Sequence, residues 1–448
     1  MRVLWLCNIM LPAYAKAKGL SFSAREGWLS GSFDRIQKAQ KNKEESLSKE
    51  LILGVAFPGE KGLSDIIEGV YFYTFEENLD TPEIYDSGLE TQMKNIINDF
   101  RPDIVHIFGT EFPHALAMTK AFGKPERTLV GIQGLCSVIA EKYMADLPEN
   151  VINTRTIRDR LKHDSIIEQQ EKYIKRGEIE TKIIKNTGHI TGRTAFDKEE
   201  TSKINSSAKY HHMNETMRSQ FYDGRWKENE CRSHSIFLSQ GDYPLKGFHY
   251  VLKAMPKILE KYPDAHVYVA GNSIIGKIDR RSITVPDDTG TVITGSRYPL
   301  FMRISAYGQY LRQIISDYHL KKHVTVLGKL SADQMKEQYL KSSLFICPSS
   351  VENSPNSLAE AMLLGMPVIA AKTGGIPSMM DNNKEGILYE PGNIDELSEA
   401  VISIWDEPVI AGVFGDNARK RALMDHDADR NFDRLIKIYN EIYFQIKE

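Results

Sequence analysis

Glu352 and Glu360 stand eight positions apart in the run SSVENSPNSLAEAM, with a Ser-Pro-Asn-Ser segment between them. Ser354 is a good N-cap and Pro355 suits the first helical position, so a helix is expected to open there. Glu352 then lies just ahead of the helix and Glu360 one and a half turns into it, roughly 8–9 Å along the axis at about 1.5 Å per residue. Two carboxylates so separated cannot grip one small group, but they can hold two ends of a longer, hydroxyl-rich molecule. A nucleotide sugar is such a molecule. Its sugar and ribose would meet the acids, and its diphosphate would meet the helix end at Ser354, Pro355, Asn356, Ser357 and Leu358, where N–H groups and a partial positive charge are on offer.

Those residues need a rigid frame. Leu344 to Cys347 is a short apolar run of the kind that fills a parallel strand covered on both faces, and Pro348 closes it. The expected helix places Leu358, Ala361, Met362 and Leu364 on its packing side and stops at Gly365 and Pro367, after which Val368 to Ala371 reads as the next strand. This is a βαβ unit, and in open parallel sheets ligands sit beyond the carboxyl ends of the strands, where this loop lies.

Strand and helix patterns alternate along the rest of the chain. Val3–Leu6, Leu51–Phe57, Gly69–Thr74, the run from Arg101 through His106, Thr128–Ile132, His189–Thr191 and Tyr210–Asn214 read as strands of a first sheet, with a helix over Glu90–Phe100. An amphipathic helix is expected to begin near Phe33, after a loop containing Gly19, Gly27 and Gly31. Ser235–Ser239, the run into Gly271, Val324–Leu327 and Gly386–Tyr389 belong to a second sheet. Residues 274–320 read as an insertion, with helix signals from Tyr307 to Tyr318. A chain of 448 residues exceeds one ordinary core, so two doubly wound α/β domains are expected.

Composition narrows the class. The net charge of −3 gives no reason to expect nucleic-acid binding. Cys7, Cys136, Cys231 and Cys347 have no paired spacing for zinc or a redox dithiol, which fits a reducing compartment. The start MRVLWLCNIMLP reads as a first strand rather than a signal peptide, and no run approaches the ~18 apolar residues of a membrane span. A cytoplasmic location is expected. A peripheral contact at the inner membrane face is left open by the basic ends of the segment 154–177, although its interleaved acids favour a solvated surface.

Glu352, seven residues, then Glu360 in EAMLLGMPVIAAKTGGIP resembles the pattern of the retaining glycosyltransferases of family 4. The stretch QGDYPLKGFHYVLKAMPKILEKYPDAHVYVAGNS resembles the same family. The resemblance implies the GT-B fold: two Rossmann-like domains facing across a cleft, here 1–219 on the acceptor side and 234–424 on the nucleotide-sugar side, with 425–448 a helix returning to the first. It implies transfer of a sugar from a nucleoside diphosphate, expected to be UDP, to an acceptor hydroxyl with retention, in surface polysaccharide or glycoconjugate synthesis. Glu352 would orient the donor sugar and Glu360 would hold the ribose. Lys246, in a loop with Gly241 and Gly247, would hold the diphosphate. Gly271, Asn272, Lys329 and Leu330 would lie along the nucleotide, and Gly27 would face the phosphates or the acceptor. Arg193 would reach the diphosphate or pair with Asp197, and His106 would touch the acceptor unless it is a core residue. The acceptor could be a glycan, a lipid-linked molecule or a small molecule. No cofactor is implied.

The sequence departs from the family at two places. Gly241 stands where an arginine is usual, and Gln133 stands where many members have a histidine beside the transferred sugar, so its role would be positioning rather than proton transfer. These departures motivate an alternative, a weakly catalytic partner subunit. An epimerase or a phosphorylase on the same fold is a third reading. The acids of DHDAD, Asp425 to Asp429, lie in a polar run before the last helix and are expected to be solvated, so no metal site is expected.

Overall fold

Two sheets, of eight and six strands, organise the described residues. The computed structural model describes residues 1–20, 27–42, 51–60, 62–272 and 304–444. The chain divides into two units, one comprising Met1–Ala140, Lys172–Met217 and Asp425–Glu448, the other Glu141–Glu171 and Arg218–Met424.

The first sheet contains β1 (Arg2–Leu6), β2 (Ile52–Pro58), β3 (Ser64–Ile67), β4 (Val70–Phe75), β5 (Ile104–Phe108), β6 (Thr128–Gly131), β7 (His189–Gly192) and β8 (Lys209–His212). Their spatial order is β3-β4-β2-β1-β5-β6-β7-β8, and only the β3–β4 pair is antiparallel. Central strands such as β1 and β5 are apolar along nearly their whole length because both faces are covered. Successive residues face opposite sides: Val3 and Trp5 join one buried cluster, Leu4 and Leu6 the other.

The terminal helix Ala428–Phe444 buries Phe432, Leu435, Ile436, Tyr439 and Ile442, a stripe at helical spacing, in the first of these clusters. The segment 425–448 thus belongs with the first unit. The DHDAD run spans the junction from the preceding helix, which ends at Asp425, into the first residues of this one. Asp427 accepts the Arg430 N–H at 2.8 Å, and Asp429 pairs with Arg35 at 2.5 Å.

The second sheet contains β9 (Arg232–Leu238), β10 (His266–Ala270), β11 (Val324–Gly328), β12 (Ser342–Cys347), β13 (Val368–Ala371) and β14 (Ile387–Tyr389). All pairs are parallel, in the order β11-β10-β9-β12-β13-β14. In both sheets the strand order reverses once near the middle, at β1/β5 in the first and at β9/β12 in the second.

Several expectations need correction. The helix expected near Phe33 begins at Gly27 and runs to Asn42, because Leu29 continues the buried stripe of Phe33 and Ile36 upstream. A further short helix, Pro12–Lys18, occupies the expected loop; residues 21–26 lie outside the described residues. Of the expected insertion, 273–303 also lies outside them, and the helix within it runs Ala306–Asp317.

The segment 141–171, expected in the first domain, clusters with the second unit. Its apolar residues Leu147 and Val151 are buried, the Ala145 carbonyl accepts the Tyr250 hydroxyl at 2.8 Å, and Asp159 accepts the Ala306 N–H at 3.0 Å. Arg158 does not contribute to a basic membrane-facing surface, because its guanidinium is fixed on Asp164 at 2.6 and 2.8 Å.

Candidate functional site

The reversal of strand order in the second sheet places the exits of β9 and β12 side by side, and a crevice at such a point is where doubly wound sheets bind ligands. After β9 the chain makes a short turn, Pro244–Lys246, and enters the helix Phe248–Lys261 through Gly247, whose φ of +68° an L side chain rarely adopts. After β12 it runs through Ser349 to Pro355 into the helix Asn356–Leu364. Lys246 from one exit and Glu352 from the other meet there: the ammonium donates to the Glu352 carboxylate at 2.5 Å, and the Ser349 hydroxyl donates to the same oxygen at 2.7 Å.

The Lys246 and Glu352 side chains are about a quarter and an eighth exposed, so the pair is reachable from solvent. Burial opposes the charge on Lys246, but the neighbouring Glu352 carboxylate outweighs it and holds the ammonium above its ordinary range. The Glu352 backbone is pinned by the Gly375 N–H at 3.0 Å, and Gly374 crosses it so closely that any Cβ there would strike the Glu352 carbonyl. The small-residue turn after β13 therefore exists to let one backbone pass over another.

Neither helix at this crevice has a side chain at its N-cap. Gly247 and Pro355 hold those positions, and neither offers a hydrogen-bond acceptor. The expectation that Ser354 caps the second helix with Pro355 at its first position is corrected by one residue: Pro355 is the N-cap, and the first turn is Asn356, Ser357 and Leu358. Ser354 is buried, as is Leu358 on the packing side.

Glu360 does not lie open beside Glu352. It is 4% exposed and takes both Nε and Nη2 of Arg218, at 3.0 and 2.5 Å. The Tyr339 ring is fully buried and its hydroxyl donates to the Ser357 carbonyl at 2.9 Å. Burial lifts the Glu360 carboxyl above the ordinary range, against the pull of Arg218. Arg218 was not among the residues expected from sequence. It lies in NETMRSQF, a polar run with no periodicity, far from Glu360 along the chain.

The other expected residues of this unit surround the strand exits. Gly241 has no room for a side chain, since a Cβ would lie 2.8 Å from Val269 and 3.0 Å from Phe248, which accounts for the absence of an arginine there. Gly271, at φ +110°, ends β10, and Asn272 donates to Asp242 at 2.8 Å. Lys329 is exposed and Leu330 half-buried just beyond β11.

Gly27, His106, Gln133 and Arg193 belong to the first unit. Gly27 is the first residue of a helix, not part of a phosphate-facing loop. His106 is fully buried in β5, where its Nδ1 and the Tyr439 hydroxyl are hydrogen-bonded at 2.7 Å while that hydroxyl oxygen accepts the Trp5 N–H at 2.8 Å. Burial drives its pKa down to about 3, so it is a neutral core residue and the acceptor role is withdrawn. Arg193 is buried and pairs with Glu215 at 2.7 Å, not with the Asp197 carboxylate, which takes its backbone N–H instead. Its charge is thus balanced inside the first unit. Gln133 donates to the same Glu215 at 2.6 Å.

Residues 225–421 match the family model described as Glycosyl transferases group 1. That match covers less than half of the chain. It takes in the whole crevice from Gly241 to Gly375, whereas Arg218 lies just outside the match. An uncharacterized glycosyltransferase of Methanocaldococcus jannaschii is 23% identical over 204 residues, 46% of this chain and 44% of that protein, so the likeness spans less than half of the relative. Among solved structures, a sucrose-phosphate synthase from Thermosynechococcus elongatus matches 99% of this chain and 100% of its own at TM-score 0.65 and 12% identity. Anabaena HepE in complex with UDP-glucose matches 98% and 100% at TM-score 0.61 and 13% identity. These likenesses, with the two mainly parallel sheets, identify the GT-B fold.

Proposed function

We propose that the chain is a retaining glycosyltransferase of the family 4 type that moves a sugar from UDP to an acceptor hydroxyl in the making of a surface polysaccharide or glycoconjugate. The observation that carries this is the Lys246–Glu352 pair at the β9/β12 crevice, flanked by two helices whose N-cap residues, Gly247 and Pro355, offer no side-chain acceptor. The diphosphate would lie against Lys246 and the first turn of Asn356–Leu364, the sugar against Glu352, and the ribose beside Glu360. The likeness to a protein that binds UDP-glucose supports UDP as the carrier.

In the reaction the bond from the anomeric carbon to the β-phosphate oxygen breaks, a bond from that carbon to the acceptor oxygen forms, and the acceptor proton leaves on the departing diphosphate. Negative charge grows on the diphosphate as positive charge grows on the sugar. Lys246 and the helix amides stabilise the first, and the Glu352 carboxylate faces the second. A helix end contributes at most ~2 kcal/mol and catalysis requires about 8–23 kcal/mol, so most must come from holding the reactants in attack geometry, which can supply roughly 7–11 kcal/mol. In this reading the chain itself provides the positive charge, and neither a divalent ion nor an organic cofactor takes part.

The alternative of a weakly catalytic subunit draws on Gly241, where no cation can be accommodated. A thermal-shift screen against UDP-, GDP- and ADP-linked sugars separates the two. Stabilisation by a UDP-linked sugar, with turnover at least 100-fold lower in Lys246→Met, is the expected result. Stabilisation by none of them favours the subunit reading.

A further inference from the structure

The helix Pro408–Asp425, with the sequence PVIAGVFGDNARKRALMD, carries two seams on opposite sides. The inner seam is Ala411, Gly415, Ala418 and Ala422, all buried and spaced by four, three and four residues. It lies so close to the rest of its unit that a Cβ on Gly415 would fall 2.2 Å from the Gly365 carbonyl oxygen. Small residues are required there. Gly365 closes the helix Asn356–Leu364, whose first turn stands at the crevice, so this contact is made at the other end of that helix from Glu352.

The outer seam is made of larger side chains. Val409, Val413, Asp416, Lys420 and Leu423 follow at intervals of four, three, four and three, the spacing that keeps one line of a helix facing a second helix. All are exposed, Val413 by 53% and Leu423 by 39%, and the exposed Ile410 and Met424 border the line. A helix on the surface of a domain ordinarily turns its larger apolar residues inward. Here alanines go in while valines, an isoleucine, a leucine and a methionine stay in water, a patch of the kind that marks an interaction surface.

The charges on the line indicate which partner fits. Asp416 and Lys420 stand at its middle, with Val413 before them and Leu423 after. Asp416 pairs with Arg225 at 2.5 Å, but both side chains are more than half exposed, and such a contact is weak enough to exchange. Arg419 and Arg421, on either side of the exposed Lys420, turn back onto the unit, to the Gly224 carbonyl at 3.1 Å and the Ser378 carbonyl at 2.8 Å. Two copies of this helix laid antiparallel about a two-fold axis at Ala418 would set Val413 against Leu423 of the second copy and Asp416 against its Lys420, each pair occurring twice. Laid parallel, they would set acid against acid and lysine against lysine. The line is complementary to itself in the antiparallel orientation, and the acid at its centre disfavours an anionic lipid surface.

We propose that the outer face of Pro408–Asp425 is a self-association surface, through which two copies of the chain pair as antiparallel helices with Asp416 and Lys420 setting the register. Polar residues in such a seam fix orientation at a cost in affinity. One helix against another also falls below the ~1,200 Å² at which stable interfaces begin. The dimer is therefore weak, forming in the micromolar range, and it does not depend on what the crevice binds.

The test is sedimentation equilibrium of the full chain, from one micromolar to several hundred, with Asp416→Lys, Lys420→Asp, an equimolar mixture of the two, and Val413→Asp. Each charge variant alone faces like charges across the axis, and the mixture restores opposite ones. The expected result is a parent that dimerises, a dissociation constant raised about 10-fold or more in each variant alone, and a return to within about threefold of the parent in the mixture. A parent that stays monomeric throughout, association unchanged in Asp416→Lys and Val413→Asp, or a mixture no tighter than its components overturns the proposal. Capture of a non-dimerising parent by phosphatidylglycerol vesicles also overturns it and makes the face a lipid contact.

Discussion

The crevices at the exits of β1/β5 and β9/β12 are made by the same topological event and carry opposite fittings. In the second, the N-cap residues Gly247 and Pro355 offer no side-chain acceptor, and a lysine stands between the two helices beside a carboxylate. In the first, Glu77 fills the N-terminus of the helix after β5, Glu180 fills that of the helix after β6, and Glu111 adds a further acid. A doubly wound sheet thus fixes where a ligand goes and leaves its charge to a few loop residues. A lysine marks the second crevice and buried acids the first.

The largest expected effect tests whether Glu360 is held as the structure has it. Glu360→Ala strands the half-buried Arg218 guanidinium in place of an ion pair, which should destabilise the second unit by about 3–5 kcal/mol in denaturant unfolding. Adding Arg218→Met to that variant should recover much of the loss. If Glu360→Ala alone is nearly neutral, the pair is a surface contact and Glu360 is available to a ribose without rearrangement.

Glu77→Ala is the matching break in the first crevice. It leaves the His114 N–H and ring without their acceptor and should cost about 1–3 kcal/mol for the stranded group, measured the same way. UDP affinity should not change.

The two units should behave alike in one respect, their response to acid. His106 in the first and His249 in the second are both buried, and burial lowers each to about 3. Each is neutral in the folded state but protonates near its ordinary value when unfolded. The stability it allows is therefore complete above that value and is lost as pH falls toward the folded one. At about pH 5 each histidine should cost about 2 kcal/mol relative to neutral pH. His106→Phe should flatten the slope of stability against pH between about 6.5 and 5 by close to one proton, and an unchanged slope would mean that the ring titrates in the fold.

Much of this was legible in the sequence for identifiable reasons. The βαβ unit around Glu352 shows because its strands are continuous apolar runs and its helix is bounded by Pro355 and Gly365, signals that act over a few residues. The helix at Gly27 starts earlier than its glycines suggest, because Gly31 lies within it for a packing reason: a Cβ there would come within 2.9 Å of the Thr216 side chain. Gly241 looked like a lost cation and proves to be a packing requirement set by Val269 and Phe248. Glu111 and Arg218 gave no signal at all, since each sits in a loop or polar run with no period.

Local patterning determined by itself that there would be two parallel sheets, where their central strands lie, and that Glu352 and Lys246 would stand at strand exits, because strand and helix formation depend on neighbours a few residues away. Only the tertiary structure decided the partners: Lys246 with Glu352 across 106 positions, Arg218 with Glu360 across 142, and His106 with Tyr439 across 333. Such pairings depend on which strands become adjacent when the order reverses, and charge and burial are then settled by what the packing brings within reach. No stretch of chain carries that information alone.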